Sequence, residues 1–440
     1  MNNNIASVLP LGWSIKPIKH IFSVLNGSTP SSEPSYWHGN IYWVSSQDIE
    51  LLKQKILQDT KIKITEAGYK SCRLQLAPIQ SIILTTQGSI GKIALAGVPL
   101  CTNQSCKTLV PKFQNIYADY FYFQLIVRQQ ELVSLAKGTR ANGTIFPELK
   151  TIDLESFRLL YPPPSEQKAI AHYLEQETAK IDNLIQTKKR LLELLDEKCR
   201  TLITNTVTRG LNPNVSLENS AIEWIGKIPK HWKLIRLKNC ILNIKQGWNL
   251  RQADEKEPGN QEWGILKTNA IQKGHFDDSQ AKTIPVYLEI PITLEIQPGD
   301  FLIIRANHKL ELLGDVCYVQ NTKPRLIPSN LIYRLRLDES KLYGQFLSFL
   351  LQTHIGRLQI EVDAKMSNLS MFKISHKHIL NWLLLLPPLQ EQKSIVEYIE
   401  NKISQINALK TTIQDTIAIL EERRLAIITM AVTGQIKIKG

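Results

Sequence analysis

Most of the marks of an enzyme, a membrane protein or a disulfide-stapled domain are missing from these 440 residues. Cysteine is sparse and scattered, at positions 72, 101, 106, 199, 240 and 317. Cys101 and Cys106 lie close in sequence, but no second Cys or His pair follows at zinc-ligand spacing, so neither a metal finger nor a disulfide framework is expected. Aromatics make up only 7%. The longest apolar run, around Trp382 to Leu386, is far too short to span a bilayer. The opening MNNNIASVLPLGW lacks the basic-then-apolar order of a secretion signal, and a cytoplasmic location is expected. Catalytic signatures are missing too. TTQGSIGKI (85–93) has a phosphate-loop flavour, yet Thr86 stands where the first glycine is needed and Ile93 where Ser or Thr must bind magnesium. No Asn-Pro-Pro or Asp-Pro-Pro precedes an aromatic, as an amino-methyltransferase requires, and no glycine-rich cofactor loop follows a strand. The acidic pairs at 277–278 and 421–422 lack the companions of a nuclease metal site, and His231, His308, His354, His376 and His378 are dispersed. The chain is expected to do no chemistry alone, with no catalytic residue, metal or bound cofactor.

A long internal repeat is present instead. PPPSEQKAIAHYLE (162–175) returns as PPLQEQKSIVEYIE (387–400), with eight of fourteen positions identical at a shift of 225. Leu174, Ile181, Lys188, Leu195 and Leu202 recur every seventh residue, as do Ile399, Ile406, Ile413, Leu420 and Ile427. Leu184, Leu191 and Leu409 read as the intervening seam positions, and Lys188 is a polar intruder where its counterpart is Ile413. Heptad spacing held without internal Pro or Gly predicts two long coiled-coil helices. From Glu166 to about Thr206 the first would be roughly 60 Å long. The duplication extends further, because Pro10–Trp13 matches Pro229–Trp232 as P-x-x-W. The order is therefore block, helix, block, helix, with a loop or linker near 210–220.

Charge divides along the same lines. Residues 1–160 carry 16 Lys+Arg against 10 Asp+Glu and residues 211–385 carry 22 against 17, whereas the two helical stretches are each within one charge of neutral. Almost all of the net +13 thus sits on the blocks. A polyanion should meet the blocks, and the helices should pack on protein. Within the blocks, IYWVSS (41–46), SIILTT (81–86), KIALAG (92–97), DFLIIRAN (300–307), DVCYV (315–319) and NLIYRLRL (330–337) read as strands. Helices are expected over 117–138, ending at Gly138 as a C-cap, and near 341–357. Both blocks read as compact α/β units. GTRANGTIF (138–146) and IRANHKLE (304–311) place Arg, Asn, His and Lys among turn residues, the side chains that read base edges and phosphates.

With these residues in view, the chain resembles the specificity subunit of a type I restriction–modification system. The resemblance spans nearly the whole length. It rests on the two P-P-x-x-E-Q-x-x-I openings (162–185 and 387–410), supported by GSTPS (27–31), YWVSSQDI (42–49), GSIGK (88–92), TNQSCKTLV (102–110), IRANHKLELLGDVCYV (304–319) and PSNLIYRLR (328–336). It implies a mixed α/β fold with a pseudo-two-fold repeat: two globular target recognition domains, 1–160 and 211–385, separated by two long antiparallel coiled-coil helices, 161–210 and 386–440. Each domain would read one half of a bipartite double-stranded DNA site, with half-sites about one helical turn, ~34 Å, apart. Candidate DNA contacts are Lys92, Asn103, Gln104, Lys137, Arg140, Asn142, Arg305, Asn307, His308, Lys309, Lys365 and Asn368. Losing Arg140 or Arg305 should weaken binding by ~1–3 kcal/mol per base contact. Arg305–Asn307 is expected where the first block has its GSIGK turn. Candidates for docking partner subunits are Glu166, Gln167, Lys168, Tyr173, Glu391, Gln392, Lys393 and Tyr398. The implied partners are two DNA methyltransferase subunits and the restriction–translocase subunits, which would hold S-adenosylmethionine, ATP and Mg2+. Two other readings stay open from the residues alone: a coiled-coil adapter whose basic domains bind acidic proteins, and a self-sufficient DNA-modifying enzyme.

Overall fold

A computed structural model describes residues 9–141, 144–250, 253–259, 261–367 and 371–438. It divides into two units: residues 1–189 with 414–440, and residues 190–413. Both long helices cross the division, so each unit owns the start of one and the end of the other.

In unit 1, the main sheet has the order β2 (Phe22–Asn26), β9 (Cys106–Pro111), β6 (Ile82–Thr85), β7 (Ile93–Ala96), β4 (Ile56–Leu57). It is antiparallel except for the β7–β4 edge. A second sheet runs β5 (Ile62–Ile64), β3 (Trp37–Val44), β8 (Leu100–Thr102), with β3 and β8 parallel. β1 (Ser14–Pro17) pairs with β12 (Arg158–Tyr161) just before the long helix, and β10 (Lys137–Ala141) forms a hairpin with β11 (Thr144–Glu148). The fully buried run Ile82–Thr85 is central, as an apolar strand flanked on both sides should be. Helix α1 (Ala118–Val127) is followed by α2 (Gln129–Leu135), and a short α3 (Thr151–Ser156) precedes β12.

Unit 2 repeats this plan. β14 (Ile241–Gln246), β21 (Ile332–Leu337), β17 (Asp300–Ile304) and β19 (Val316–Tyr318) form the main antiparallel sheet. β16 (Ala281–Thr283), β15 (Gly264–Leu266) and β20 (Leu326–Pro328) form the second, with β15 and β20 parallel. β13 (Lys233–Arg236) pairs with β24 (Leu383–Leu386). A third sheet joins β18 (Ala306–Asn307), β23 (Met371–Lys373) and β22 (Lys365–Ser367). Helices α5 (Gly344–Gln352), α6 (His354–Asp363) and α7 (His376–Asn381) follow the order of α1, α2 and α3.

Helix α4 runs Pro164–Arg209 and α8 runs Leu389–Val432. Pro164 opens α4, where a missing N–H costs nothing. In unit 1 the two run antiparallel: Arg424 holds Asp182 through two hydrogen bonds of 2.8 and 3.2 Å, and Ile170, Leu174, Ile428 and Ala431 join the block's core. In unit 2 they are also antiparallel, with Lys410 on Asp196 and with Val207, Ile395, Val396 and Ile399 in the core.

Several expectations need correction. The predicted helix over 117–138 breaks at Arg128, and Gly138 lies in β10 rather than capping a helix. The helix near 341–357 breaks at Thr353 in the same way. DFLIIRAN is not one strand, because Arg305 separates β17 from β18 in different sheets. Ser45 and Ser46 leave the predicted strand to cap and start a helical turn, with Asp48 returning the capping bonds. The heptad positions Leu174, Ile181 and Leu195 are buried, but Leu184, Leu191 and Leu409 are exposed. The second seam line lies one residue later, at Thr178, Ile185 and Ile417, four residues after each heptad position instead of three. Both offsets put side chains on one helix face, so spacing alone did not choose between them. Lys188 is half-buried on the seam.

Candidate nucleic-acid interface

Matching strands bring matching loops together. In unit 1, Thr86 leaves β6, donates its N–H to Ser105 O (2.8 Å), and accepts on its own carbonyl from Leu149 N (2.9 Å), just after the β10–β11 hairpin. In unit 2, Arg305 leaves β17, donates to Leu331 O (2.8 Å), and accepts from Ile374 N (2.9 Å), just after β23. Arg305 therefore matches Thr86, two residues before GSIGK, rather than the GSIGK turn itself, whose Gly91 N–H on Thr85 O is matched by Gly314 N–H on Ile304 O. A third loop closes each edge. Gly27 follows β2 where a Cβ would lie 1.8 Å from Asn103 O, and Gly247 follows β14 where a Cβ would lie 2.1 Å from Ser329 O. Only glycine lets these backbones meet, as Ser28 N to Thr102 O (2.9 Å) and Trp248 N to Pro328 O (2.8 Å) require.

The side chains on the two edges differ. On the unit 1 edge, Ser105 Oγ donates to Gln87 Oε1 (3.2 Å), and Thr29 donates to Gln104 Oε1. Asn103 Oδ1 accepts from Ser105 N (3.1 Å). Behind them Lys107 is almost wholly buried in β9, with Nζ donating to Asn26 Oδ1 (3.0 Å). Burial pushes this ammonium below the usual lysine range. On the unit 2 edge, the position paired with Gln246 is Tyr333, where unit 1 pairs Asn26 with Lys107. The Arg305 guanidinium lies over that ring, 5.2 Å from its centroid, and Nη1 donates to Asn330 O (3.0 Å). Asn330 Nδ2 in turn donates to Asn249 Oδ1 (3.0 Å). The buried atoms Arg305 Nε and Ser329 Oγ have no hydrogen-bond partner.

Of the sequence candidates, Asn103 and Gln104 lie together on the unit 1 edge, and the hairpin bearing Lys137 and Arg140 is bridged to it through Gln87 and Glu148. Lys92 is exposed but stands apart from them, lining a cleft of about 460 Å³ with Glu175, Asp182 and Arg424. In unit 2, Asn307 accepts from Lys309 N (3.0 Å), Lys309 and His308 are exposed, and β18 adjoins the hairpin that carries Lys365. Asn142 and Asn368 lie outside the described residues. Thr29, Gln87, Lys107, Gln246, Trp248, Asn249 and Asn330 were missed by sequence reading. The glycines that begin GSTPS and GWNLR were the available signal, since each brings two loops into backbone contact.

The helix-opening motifs hold each helix to its own block. Gln167 is fully buried: its Oε1 accepts from Tyr117 N (3.1 Å) and its Nε2 donates to Pro162 O (2.9 Å). Gln392 does the same with Tyr343 N (2.8 Å) and Pro387 O (2.9 Å), and also donates to Lys341 O (2.9 Å). Each glutamine thus caps the first long helix of its block, α1 or α5. Glu166 accepts the Trp13 indole N–H (2.8 Å), and Glu391 accepts that of Trp232 (3.2 Å) as well as bonding His231 Nε2 (2.8 Å). Gln167 and Gln392 accordingly belong to internal latches and offer a partner no surface, which corrects the expectation for them. Glu166 and Glu391 are largely engaged in the same way. Lys168, Lys393 and Tyr398 remain exposed, and Tyr173 is half-buried against the unit 1 core.

Among the described residues no cluster of three or more His, Cys, Asp or Glu could hold a metal ion. Burial pushes the Cys101 and Cys106 thiols up to about 12, which leaves them protonated and poor ligands. No described helix is long and apolar enough to cross a membrane.

Comparison with known proteins agrees with this geometry. The family model described as "Type I restriction modification DNA specificity domain" matches twice, over residues 10–194 and 229–418. The type I restriction enzyme MjaIX specificity subunit of Methanocaldococcus jannaschii is 32% identical over 248 residues, which cover 56% of this chain and 55% of that protein. This chain thus spans about half the length of that relative. The EcoKI specificity subunit of Escherichia coli K12 is 22% identical across 98% of this chain and 90% of its own. Among solved structures, a chain from a study of type I R-M complex assembly superposes with a TM-score of 0.70 at 16% identity, covering 98% of this chain and all of its own. The HsdS subunit of Thermoanaerobacter tengcongensis superposes at 0.55 and 16% identity, covering 97% of this chain and 98% of that one. Two latched blocks, two antiparallel helix pairs and two copies of one domain model lead to one conclusion: the chain belongs to the type I restriction–modification DNA specificity family, as a specificity subunit.

Proposed function

We propose that the chain reads a bipartite double-stranded DNA site, one half through each loop edge, and docks methyltransferase and restriction subunits through its long helices. The observation that carries this reading is the recurrence of one three-loop edge, with different side chains, at the same place in two copies of one fold. A duplicated frame with divergent reading groups suits a split and asymmetric target. Asn103, Gln104, Asn307, His308 and Lys309 are the described candidates for contact, together with the hairpins that carry Lys137, Arg140 and Lys365. Arg305 acts as a positioning residue, stacked on Tyr333 and holding the Asn330 loop. The exposed Lys168, Lys393 and Tyr398, with the half-buried Tyr173, are candidates for docking. The chain turns over no substrate alone, and S-adenosylmethionine, ATP and Mg2+ belong to the partner subunits.

The test is an adenine-methylation map of a naive host that expresses this chain with its methyltransferase subunit. A single split motif with a fixed gap is the expected result, and replacing residues 1–160 should change one half only. A stable complex that methylates no new site would overturn the reading.

A further inference from the structure

Unit 2 carries a cavity that neither the loop edge nor the latch uses. It is an open cleft of about 330 Å³, at the small end of the range for ligand sites, and lies where α6, α7 and the Trp224 loop meet. Trp224 and Trp382 supply indole walls, and Leu358 and Val362 supply aliphatic ones. Its polar end is Asp363 with His378. Asp363 Oδ2 accepts the Trp382 indole N–H (2.9 Å), while Oδ1 stands 3.9 Å from His378 Nδ1, beyond hydrogen-bond reach. That buried Nδ1 has no partner. Asn381 also lines the cavity, but its Oδ1 is already taken by Arg236 (2.7 Å) and its Nδ2 donates to Lys377 O (2.8 Å).

Unit 1 shows what such a place holds. Phe157 is the counterpart of Trp382: each precedes the strand that leads to the long helix, and their carbonyls accept from Ile18 N (2.9 Å) and Leu237 N (2.8 Å) respectively. Over Phe157 lies the guanidinium of Arg128, 4.2 Å from the ring centroid. Arg128 also grips Glu131 with Nε (3.0 Å) and Nη2 (2.7 Å). Aromatic face, carboxylate and guanidinium form one group, with the carboxylate held below its usual range by the arginine. In unit 2 the aromatic residue and the carboxylate are present, the latter from the opposite end of the equivalent helix. The junction between the two helices, where unit 1 has Arg128, is Thr353, whose hydroxyl turns back to Leu350 O (2.7 Å). Among the described residues lining the cavity there is no Lys or Arg, and the one basic group beside Asp363 is His378, 3.9 Å from Oδ1.

We infer that this cavity takes an arginine side chain presented by a second protein chain, its guanidinium on Asp363 Oδ1 and against the Trp382 and Trp224 rings. The charge favours it, because Asp363 is the one acid among the lining residues and the walls are indoles. Planarity and a forked set of donors suit guanidinium better than ammonium. The inference does not depend on which DNA sequence is read.

The full chain is titrated with N-acetyl-arginine methylamide, its neutral citrulline analogue, and agmatine, following tryptophan emission. Expected is saturable binding of the arginine amide, with the citrulline analogue and the Asp363→Asn variant each weaker by about tenfold, the worth of a charge-assisted hydrogen bond. Asparagine keeps an acceptor for the Trp382 indole, so the fold should survive. Trp224→Ala, which removes the half-exposed wall, should weaken binding as well. Equal affinity for arginine and citrulline amides would overturn the assignment by showing an apolar slot. Binding of agmatine but not of the arginine amide would mark a small-molecule site and overturn the protein-borne arginine. No saturation by any probe would overturn it outright.

Discussion

The two units keep the same latches and change the edge. In unit 1 the cation behind the edge is Lys107, built into a central strand and anchored on Asn26. In unit 2 it is Arg305, delivered from a loop and laid over Tyr333, which stands where Lys107 stood. By contrast, the glutamine that caps the block's first long helix, the glutamate beneath the tryptophan and the glycine between two loops all recur. The residues that latch each helix to its block thus recur, whereas the buried residues behind the edge have taken new chemistry. The latch has two asymmetries: Gln392 also donates to Lys341 O, and His231 joins Glu391 in unit 2 while unit 1 has Gly12 at that place.

The comparison can be broken most forcefully at the glycines. Gly27→Ala and Gly247→Ala each drive a Cβ into a backbone carbonyl that has no room to move, at a cost of about 3 kcal/mol or more. Each should disorder one edge, and hydrogen exchange would show protection lost at residues 102–105 or 328–331 alone. The glutamines come next. Gln167→Leu and Gln392→Leu strand buried backbone groups, and urea unfolding should show losses of about 2–3 kcal/mol. Gln392 should cost more, since it makes three bonds to the two made by Gln167. Trp13→Phe and Trp232→Phe remove one indole bond to a carboxylate, about 1 kcal/mol each by thermal melting. The smallest effect is expected at Arg424→Gln, because the bond to Asp182 is half-exposed and worth ~1 kcal/mol or less, with even that fading at high salt.

Much of this was legible in the sequence, and the gaps have physical causes. The repeat, the two helices and the block–helix order were all readable, because heptads and paired prolines are local signals. Strand order was not, because β3 pairs in parallel with β8 from nearly sixty residues away, and nothing local encodes such a pairing. The helix breaks at Arg128 and Thr353 were hidden in runs whose apolar spacing continues straight through them. Arg305 was singled out for its place among turn residues, without sign of its contact with Tyr333. Its stacking on Tyr333 depends on a strand pairing that spacing does not reveal. Lys107, Gln87 and Asn330 were missed because each gains its meaning only from a loop distant in sequence.

The division of the helices also has a consequence for the order of assembly. Unit 2 is one unbroken stretch, residues 190–413, and every group in its core has been synthesised by the time Ile413 is made. Unit 1 begins first but needs Ile428, Ala431 and Val432 for its core, and the Tyr120 hydroxyl closes on the carbonyl of Val432 (3.0 Å). On the ribosome the second block can therefore mature before the first, which must wait with its apolar face open until almost the last turn of helix has been added.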